Sequence, residues 1–364
     1  MRILMTTDTI GGVWTFTQEL TRGLLHNGCA VALISFGANP SEAQQNWCRD
    51  ITRAWGSAFH YQESDIPLEW MPENRAAYSD AAPLFMSIAR KFKPDILLSN
   101  QYCFGALPLS IPRILVAHSD VLSWADHTRG GNLEHSEWLT TYCSLVSNGL
   151  EQADSLVSPT QWMLNALAQH FTIPDRTSVI PNGRTLSASR VWPRKLQAVT
   201  AGRLWDQAKN ISILRNVQSP NPLLIAGDIA QISFSEPRFA TFLGRLPEQD
   251  LLTIFRESSI YICTSIYEPF GLAPLEAAQC GCAVVANDIP SLREVWQDAA
   301  LYFSDAASLT TLLHELSLSP ELLHAAQQRS FERAAAFTGK RMVQAYMSLF
   351  QATLAQTEQQ AYAS

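Results

Sequence analysis

No apolar run in the sequence approaches the ~18 residues that a membrane-crossing helix needs, so no transmembrane helix is expected. A secretory leader is not expected either, because Met1-Arg2-Ile3-Leu4-Met5-Thr6-Thr7 has too short an apolar core for one. Seven cysteines, an odd number at no framework spacing, argue against a disulfide scaffold and fit a reducing cytosol. Cys280-Gly281-Cys282 reads as small buried side chains rather than as metal ligands. Basic charge is also in short supply. Residues 1–181 carry 11 Lys and Arg against 17 Asp and Glu, and residues 182–364 carry 15 against 16. Neither half has the surplus of a nucleic-acid or anionic-membrane binder, which leaves a cytoplasmic protein with a soluble partner. The fingerprint Gly-x-Gly-x-x-Gly is missing, so a nicotinamide cofactor is not supported.

What is present is a globular composition, 47% apolar and 16% charged, in a chain of 364 residues. That length exceeds one ordinary core and implies two domains. Arg2–Thr6 reads as a strand, Asp8–Gly12 as a Gly-rich turn, Val13–Asn27 as an amphipathic helix and Ala30–Phe36 as a second strand. This βαβ order predicts a parallel sheet. Residues 37–80 give no clear pattern. Further strands are expected at Pro94–Ser99, Arg113–Ala117 and Ser155–Val157, with Trp124–Asn132 as a loop and Glu137–Gln152 as a helix. Leu186–Pro193 has linker composition, which places the domain boundary at 181–194. In the second half, strands are expected at Leu196–Thr200, Pro222–Gly227, Ile260–Thr264, Ala283–Asn287 and Leu301–Ser304, and the chain is helical in pattern from Ser308 onward. The fold class is therefore α/β, with two Rossmann-like parallel-sheet domains whose ligand edges face a central cleft.

The stretch Ser265–Glu276 carries the sharpest chemistry. It follows an apolar strand, turns at Pro269 and Gly271, and enters a helix over Leu272–Cys280 that Gly281 ends. Glu268 falls at the carboxyl end of the strand, and Glu276 lies about a turn inside the helix. Ligands bind at that edge of an open α/β sheet, and the free N–H groups of a helix start attract phosphate. Two carboxylates beside an anion site suit a ligand with both phosphates and sugar hydroxyls. Two more features fall on the same kind of edge: His118, with Asp120, after one strand, and Arg203 after another, with Lys209 six residues on.

These pieces occur in a familiar order. Gly11-Gly12-Val13, His118, Gly202-Arg203-Leu204 with Lys209, and the Glu-x7-Glu element Glu268–Glu276 resemble the retaining glycosyltransferases of the GT-B fold, family 4, and the similarity runs from residue 3 to about 350. Ile180-Pro181-Asn182-Gly183 is similar to the family's entry into its second domain, and Phe331–Tyr346 to the helices that cross back onto the first. The resemblance implies an acceptor-binding domain over 1–181, a nucleotide-sugar-binding domain over 182–335 and a returning helix over 336–364. It implies transfer of a hexosyl group, with UDP-sugars favoured, to a hydroxyl, with retained anomeric configuration and no metal or other cofactor. Arg203 and Lys209 would neutralise the diphosphate, with Gly11, Gly12, Phe270, Gly271 and Leu272 around it. Glu276 would bind the ribose, Glu268 the transferred sugar, and His118 the sugar near the reacting carbon. His118, Arg203, Lys209 and Glu268 are thus the expected catalytic set.

The acceptor is the least determined part. Trp14, Trp124 and Trp138 are candidates to stack on a sugar ring, and Asp120 is the nearest candidate carboxylate, although aromatic residues at such spacings also build cores and an acid there also caps helices. A nucleotide-sugar epimerase and a non-catalytic nucleotide-sugar-binding protein stand as the alternative readings.

Overall fold

In the computed structural model of the chain, the described residues are 1–186, 194–228 and 240–363, without the side chains of residue 358 and residues 360–363. Most of the linker expected at Leu186–Pro193 lies outside them. The chain divides into two units: Met1–Ser123 with Asn132–Gly183 and Gly339–Ser364, and Trp124–Gly131 with Arg184–Thr338.

The first unit is built on seven parallel strands: β1 (Arg2–Asp8), β2 (Ala30–Phe36), β3 (Phe59–Glu63), β4 (Ile96–Ser99), β5 (Arg113–Val116), β6 (Ser155–Ser158) and β7 (Thr177–Val179). Their order is β3-β2-β1-β4-β5-β6-β7, so strand order reverses at β1 and β4. Ile3 pairs with Val31 on one side and Ile96 on the other. Side chains alternate across this sheet. Ile3 and Met5 enter one core together with Phe16, Leu20 and Leu24, and Leu4 enters the other with Phe85 and Phe104. Burial on both faces explains why these strands read as apolar runs. The helices along this part of the chain are α1 (Gly12–His26), α2 (Glu42–Trp55), α3 (Ala76–Ser79), α4 (Ala81–Phe92), α5 (Val121–Arg129), α6 (Glu137–Gln152) and α7 (Gln161–Ala168), and all but α5 lie in the first unit; α5 passes to the second unit at Trp124.

The second unit has six parallel strands: β8 (Lys195–Ala201), β9 (Leu223–Ala226), β10 (Ala240–Gly244), β11 (Ser258–Cys263), β12 (Ala283–Asn287) and β13 (Leu301–Phe303). Their order is β10-β9-β8-β11-β12-β13, with the reversal at β8 and β11. Its helices are α8 (Glu248–Glu257), α9 (Leu272–Gln279), α10 (Pro290–Trp296), α11 (Ala306–Leu318) and α12 (Pro320–Ala334). Val199, Tyr261 and Val284 bury one face, and Ala198, Ile260 and Val285 the other. The last helix, α13 (Gly339–Ala363), belongs to the first unit, where Met342, Val343, Tyr346 and Phe350 enter the core beside α1. Among the described residues no helix is long and apolar enough to cross a membrane.

The structure corrects the expected loop at Trp124–Asn132. Residues 121–129 are helical because Asp120 Oδ1 accepts the N–H groups of Leu122 (2.8 Å) and Ser123 (3.0 Å), the contacts of an N-cap. Gly130 and Gly131, at φ 59° and 77°, follow its end.

Candidate functional site

In the second unit the expected residues gather at the carboxyl ends of β8 and β11, the point where strand order reverses and an open sheet leaves a crevice. Arg203 follows β8, and the 207–209 turn folds back beside it. That turn is tied to the segment after β11 by Ile266 N–H donating to Ala208 O (2.8 Å) and Thr264 Oγ1 donating to Lys209 O (2.5 Å). The tie puts the Lys209 ammonium in an ion pair with Glu268 Oε2. Ser265 Oγ donates to the same carboxylate oxygen at 3.0 Å. Arg203 Nη2 pairs with Asp206 Oδ2 at 2.9 Å. Both cations therefore sit within reach of an acid.

Gly271 opens α9 at φ 88°, a backbone that L side chains rarely adopt, and a Cβ there would lie 2.8 Å from Pro274 Cγ. The α9 start has no side-chain cap, so its first N–H groups are the anion-attracting kind. Phe270 departs from its expected place among the ligand contacts. The residue is 3% exposed and its ring packs edge-on against Phe337 at 5.4 Å, so the side chain is part of the core. Glu276 is buried, and Arg184 Nε lies 2.8 Å from its Oε1. Arg184 also pairs with Glu248, and its own burial makes it part of the site's foundation.

In the first unit the expected residues follow β1 and β5. Gly11, at φ 76°, precedes α1, whose start also has no side-chain cap. His118 Nε2 lies 2.8 Å from Asn100 Oδ1, and the ring meets Phe16 edge-on at 4.7 Å. Burial pushes the His118 imidazole down to about 3 from an ordinary 6.5, so the ring is neutral at pH 7. Among the described residues no group of three or more His, Cys, Asp or Glu side chains could hold a metal ion.

The structure revises two acceptor candidates. Trp14 is 6% exposed and packs edge-on against Trp47 at 5.8 Å, so it is a core residue. Asp120 is buried around its capping contacts and accepts Ser123 Oγ–H; burial raises its pKa. Trp124 groups with the second unit, where its Nε1–H donates to Asp206 Oδ1 at 3.1 Å. Trp138 Nε1–H donates to Met71 O (2.8 Å), and its ring stacks on Tyr142.

Sequence reasoning passed over Asn100, Arg184, Asp206 and Ser265. The signal for Asn100 was available, since it directly follows β4 on the same carboxyl edge as His118. Arg184 likewise follows Ile180-Pro181-Asn182-Gly183 without a gap.

Known proteins resemble this chain in sequence and in fold. Residues 10–187 match the model of Glycosyltransferase Family 4, and residues 236–333 match that of Glycosyl transferases group 1. An alpha-maltose-1-phosphate synthase of Mycolicibacterium smegmatis is 25% identical over 233 residues, which are 53% of this chain and 58% of that one. The chain thus spans little more than half the length of that curated relative. Sucrose-phosphate synthase from Thermosynechococcus elongatus superposes with a TM-score of 0.75 at 17% identity, covering 98% of this chain and 99% of the other. Anabaena HepE, solved in complex with UDP and glucose, superposes at 0.73 with 14% identity, covering 97% and 100%. Two sheets of this topology, matched in sequence by both family models, place the chain among the GT-B glycosyltransferases, family 4.

Proposed function

We propose that the protein transfers a hexosyl group from a nucleotide-diphosphate sugar to a hydroxyl of a soluble acceptor, with retention of anomeric configuration. The observation that carries this reading is the convergence of Arg203, Lys209, Glu268 and the α9 start at the β8–β11 reversal. A diphosphate leaving group gains negative charge as the glycosidic bond breaks. Arg203 and Lys209 stabilise that charge, in this reading without a metal, and the N–H groups at Gly271 and Leu272 add fixed dipoles to the same oxygens. Glu276, held by Arg184, accepts hydrogen bonds from the ribose hydroxyls, and Glu268 from hydroxyls of the transferred sugar. In the first unit, Gly11 and Gly12 present backbone N–H groups to the donor, and His118 contacts the sugar. The acceptor hydroxyl attacks on the leaving-group face and gives its proton to a donor phosphate oxygen, so no protein base is required.

UDP is the first nucleotide to try, because Anabaena HepE shares the fold and was solved with UDP and glucose. Thermal-shift measurement with UDP-, GDP- and ADP-sugars tests the donor. One selective donor is expected to stabilise the protein, by about 2.7 kcal/mol at a hundredfold excess over Kd. No stabilisation by any of the three would overturn the reading. Nucleotide release on adding acceptors, persisting in EDTA and yielding an axial product from an axial donor, would support the remaining steps. Isomerised donor in an acceptor-free incubation would favour an epimerase instead.

A further inference from the structure

His118 is held by more than burial. At the end of β4 the chain makes a tight, internally bonded corner. Ser99 Oγ donates to Gln101 O (2.7 Å) and accepts from Gln101 N–H (3.1 Å). Glu69, buried, accepts the N–H groups of Tyr102 (2.9 Å) and Cys103 (2.7 Å) through its two oxygens. Tyr102 Oη–H then donates to Ser119 O at 3.0 Å, beside His118. Asn100 sits in this frame with three contacts to β1 and α1. Its N–H donates to Thr6 Oγ1 (2.8 Å), and its Nδ2 donates to Thr6 O (2.5 Å) and lies 3.5 Å from Thr17 Oγ1.

Those contacts fix which way the amide points. Turning it over would set Oδ1 against the Thr6 carbonyl oxygen, two acceptors with no proton between them. Oδ1 therefore faces His118 Nε2 at 2.8 Å, and an amide oxygen can only accept. The proton of the ring must be on Nε2, which leaves Nδ1 as a bare lone pair. Among the described residues Nδ1 has no hydrogen-bond partner.

We propose that Asn100 is a positioning residue that fixes the Nε2–H tautomer of His118, so that Nδ1 accepts a hydrogen bond from a hydroxyl of the donor sugar. The second half of this statement rests on the glycosyl-transfer reading; the first half does not. With the opposite tautomer Nδ1–H would be a donor, and a hydroxyl oxygen rather than its proton would have to meet it. The device sets the sugar's rotation about the ring. Nucleotide affinity does not depend on it.

The test uses full-length protein with 15N-labelled histidine. Long-range 1H–15N spectra distinguish a protonated from a bare ring nitrogen, and the signals that vanish in His118→Gln assign the residue. Two variants isolate the acceptor: Asn100→Leu and Asn100→Asp. Both forfeit the bond to Thr6 O, and only Asn100→Asp keeps an acceptor opposite Nε2. The wild type and Asn100→Asp are expected to show Nε2–H, and Asn100→Leu a gain of Nδ1–H. Nucleotide release from UDP-glucose, GDP-mannose or ADP-glucose, whichever the wild type uses, is expected to fall about tenfold to a hundredfold in Asn100→Leu, with a smaller loss in Asn100→Asp. Stabilisation by the matching free nucleoside diphosphate is expected to be unchanged in both. An Nδ1–H ring in the wild type, or an unchanged tautomer in Asn100→Leu, overturns the proposal. A changed tautomer with undiminished release overturns the hydroxyl contact. A wild type with the expected tautomer but no release from any donor counts against the glycosyl-transfer reading and the hydroxyl contact, while supporting the Asn100–His118 assignment.

Discussion

Lys209 and Glu268 hold each other, and Ser265 shares the same carboxylate oxygen, so a diphosphate at this place must draw the ammonium from a carboxylate. A dianionic group can do so because it offers more charge and more acceptor oxygens. Lys209→Ala is therefore expected to lower turnover by about a hundred- to a thousandfold, the ~2.7–4 kcal/mol typical of one lost transition-state contact. Its effect on stability should be small, since Ser265 still satisfies Glu268. Steady-state kinetics beside a melting curve checks this, and near-normal turnover would remove Lys209 from the chemistry. His118 offers a test on pH. Its folded-state pKa is pushed down to about 3 against an ordinary 6.5, so the unfolded chain binds a proton that the folded one refuses. The stability this represents is fully present above pH 6.5 and is lost as pH falls toward about 3, at up to about 1.4 kcal/mol per pH unit. Urea unfolding at pH 7.5 and 5 should show a steeper loss for the wild type than for His118→Gln. Equal losses would mean that the ring is protonated in the fold.

One helix contact should reverse the usual rule for its kind of substitution. Gly149 lies inside α6, where Ala is ordinarily favoured by about 1 kcal/mol. Here a Cβ would come 1.9 Å from Tyr102 O, and a Cβ on Gly105 would come 2.1 Å from Gly149 O. The two backbones touch, and neither can give way easily, because Glu69 anchors the Tyr102 corner. Gly149→Ala is expected to destabilise by about 1–3 kcal/mol as overpacking does, and to disturb the Tyr102–Ser119 bond next to His118. A gain in melting temperature would refute the close packing. The same comparison of elements shows what was legible in the sequence. Strands buried on both faces, such as β1, β11 and β12, announce themselves as apolar runs. The edge strand β3 has only Phe59 buried, so its run Phe59–Glu63 looks like loop. Helix α2 buries only Trp47, Cys48 and Ile51 of its 14 residues, too thin a stripe to stand out. Helix α5 was hidden because its start is written in one residue, Asp120, which also looked like a candidate for chemistry. Of the candidate site, the charged residues were legible from their place after strands. Their pairing with Arg184, Asp206 and Ser265 was not, because it depends on side-chain reach that spacing does not encode.

At the scale of the molecule, periodicity shows the two α/β rhythms but not that the first unit is assembled from three stretches of chain. Only the family resemblance pointed to a returning C-terminal helix. Its physical need is plain in the packing. Helix α13 places Met342, Val343, Tyr346 and Phe350 in the same core as Phe16, Leu20 and Leu24 of α1. The fit is close at Gly23, where a Cβ would overlap Val343 Cγ2 at 2.1 Å. Tyr346 meets Phe16 edge-on at 5.8 Å, and Phe16 in turn meets His118 at 4.7 Å, so the helix backs the ring that the site uses. Fully burying one large apolar side chain contributes about 1.5–3 kcal/mol, and a domain's net stability is only about 5–15 kcal/mol. Removing four such side chains at once takes away an amount comparable to the whole. A chain ending at Thr338 is therefore expected to lose the cooperative melting of its first unit and the protection of β1 and α1 in amide hydrogen exchange. The strands β8, β11 and β12 should keep theirs, because no described residue of α13 enters the cores that bury them. Retained exchange protection in β1 and α1 after the truncation would show that the first unit closes its core without the returning helix.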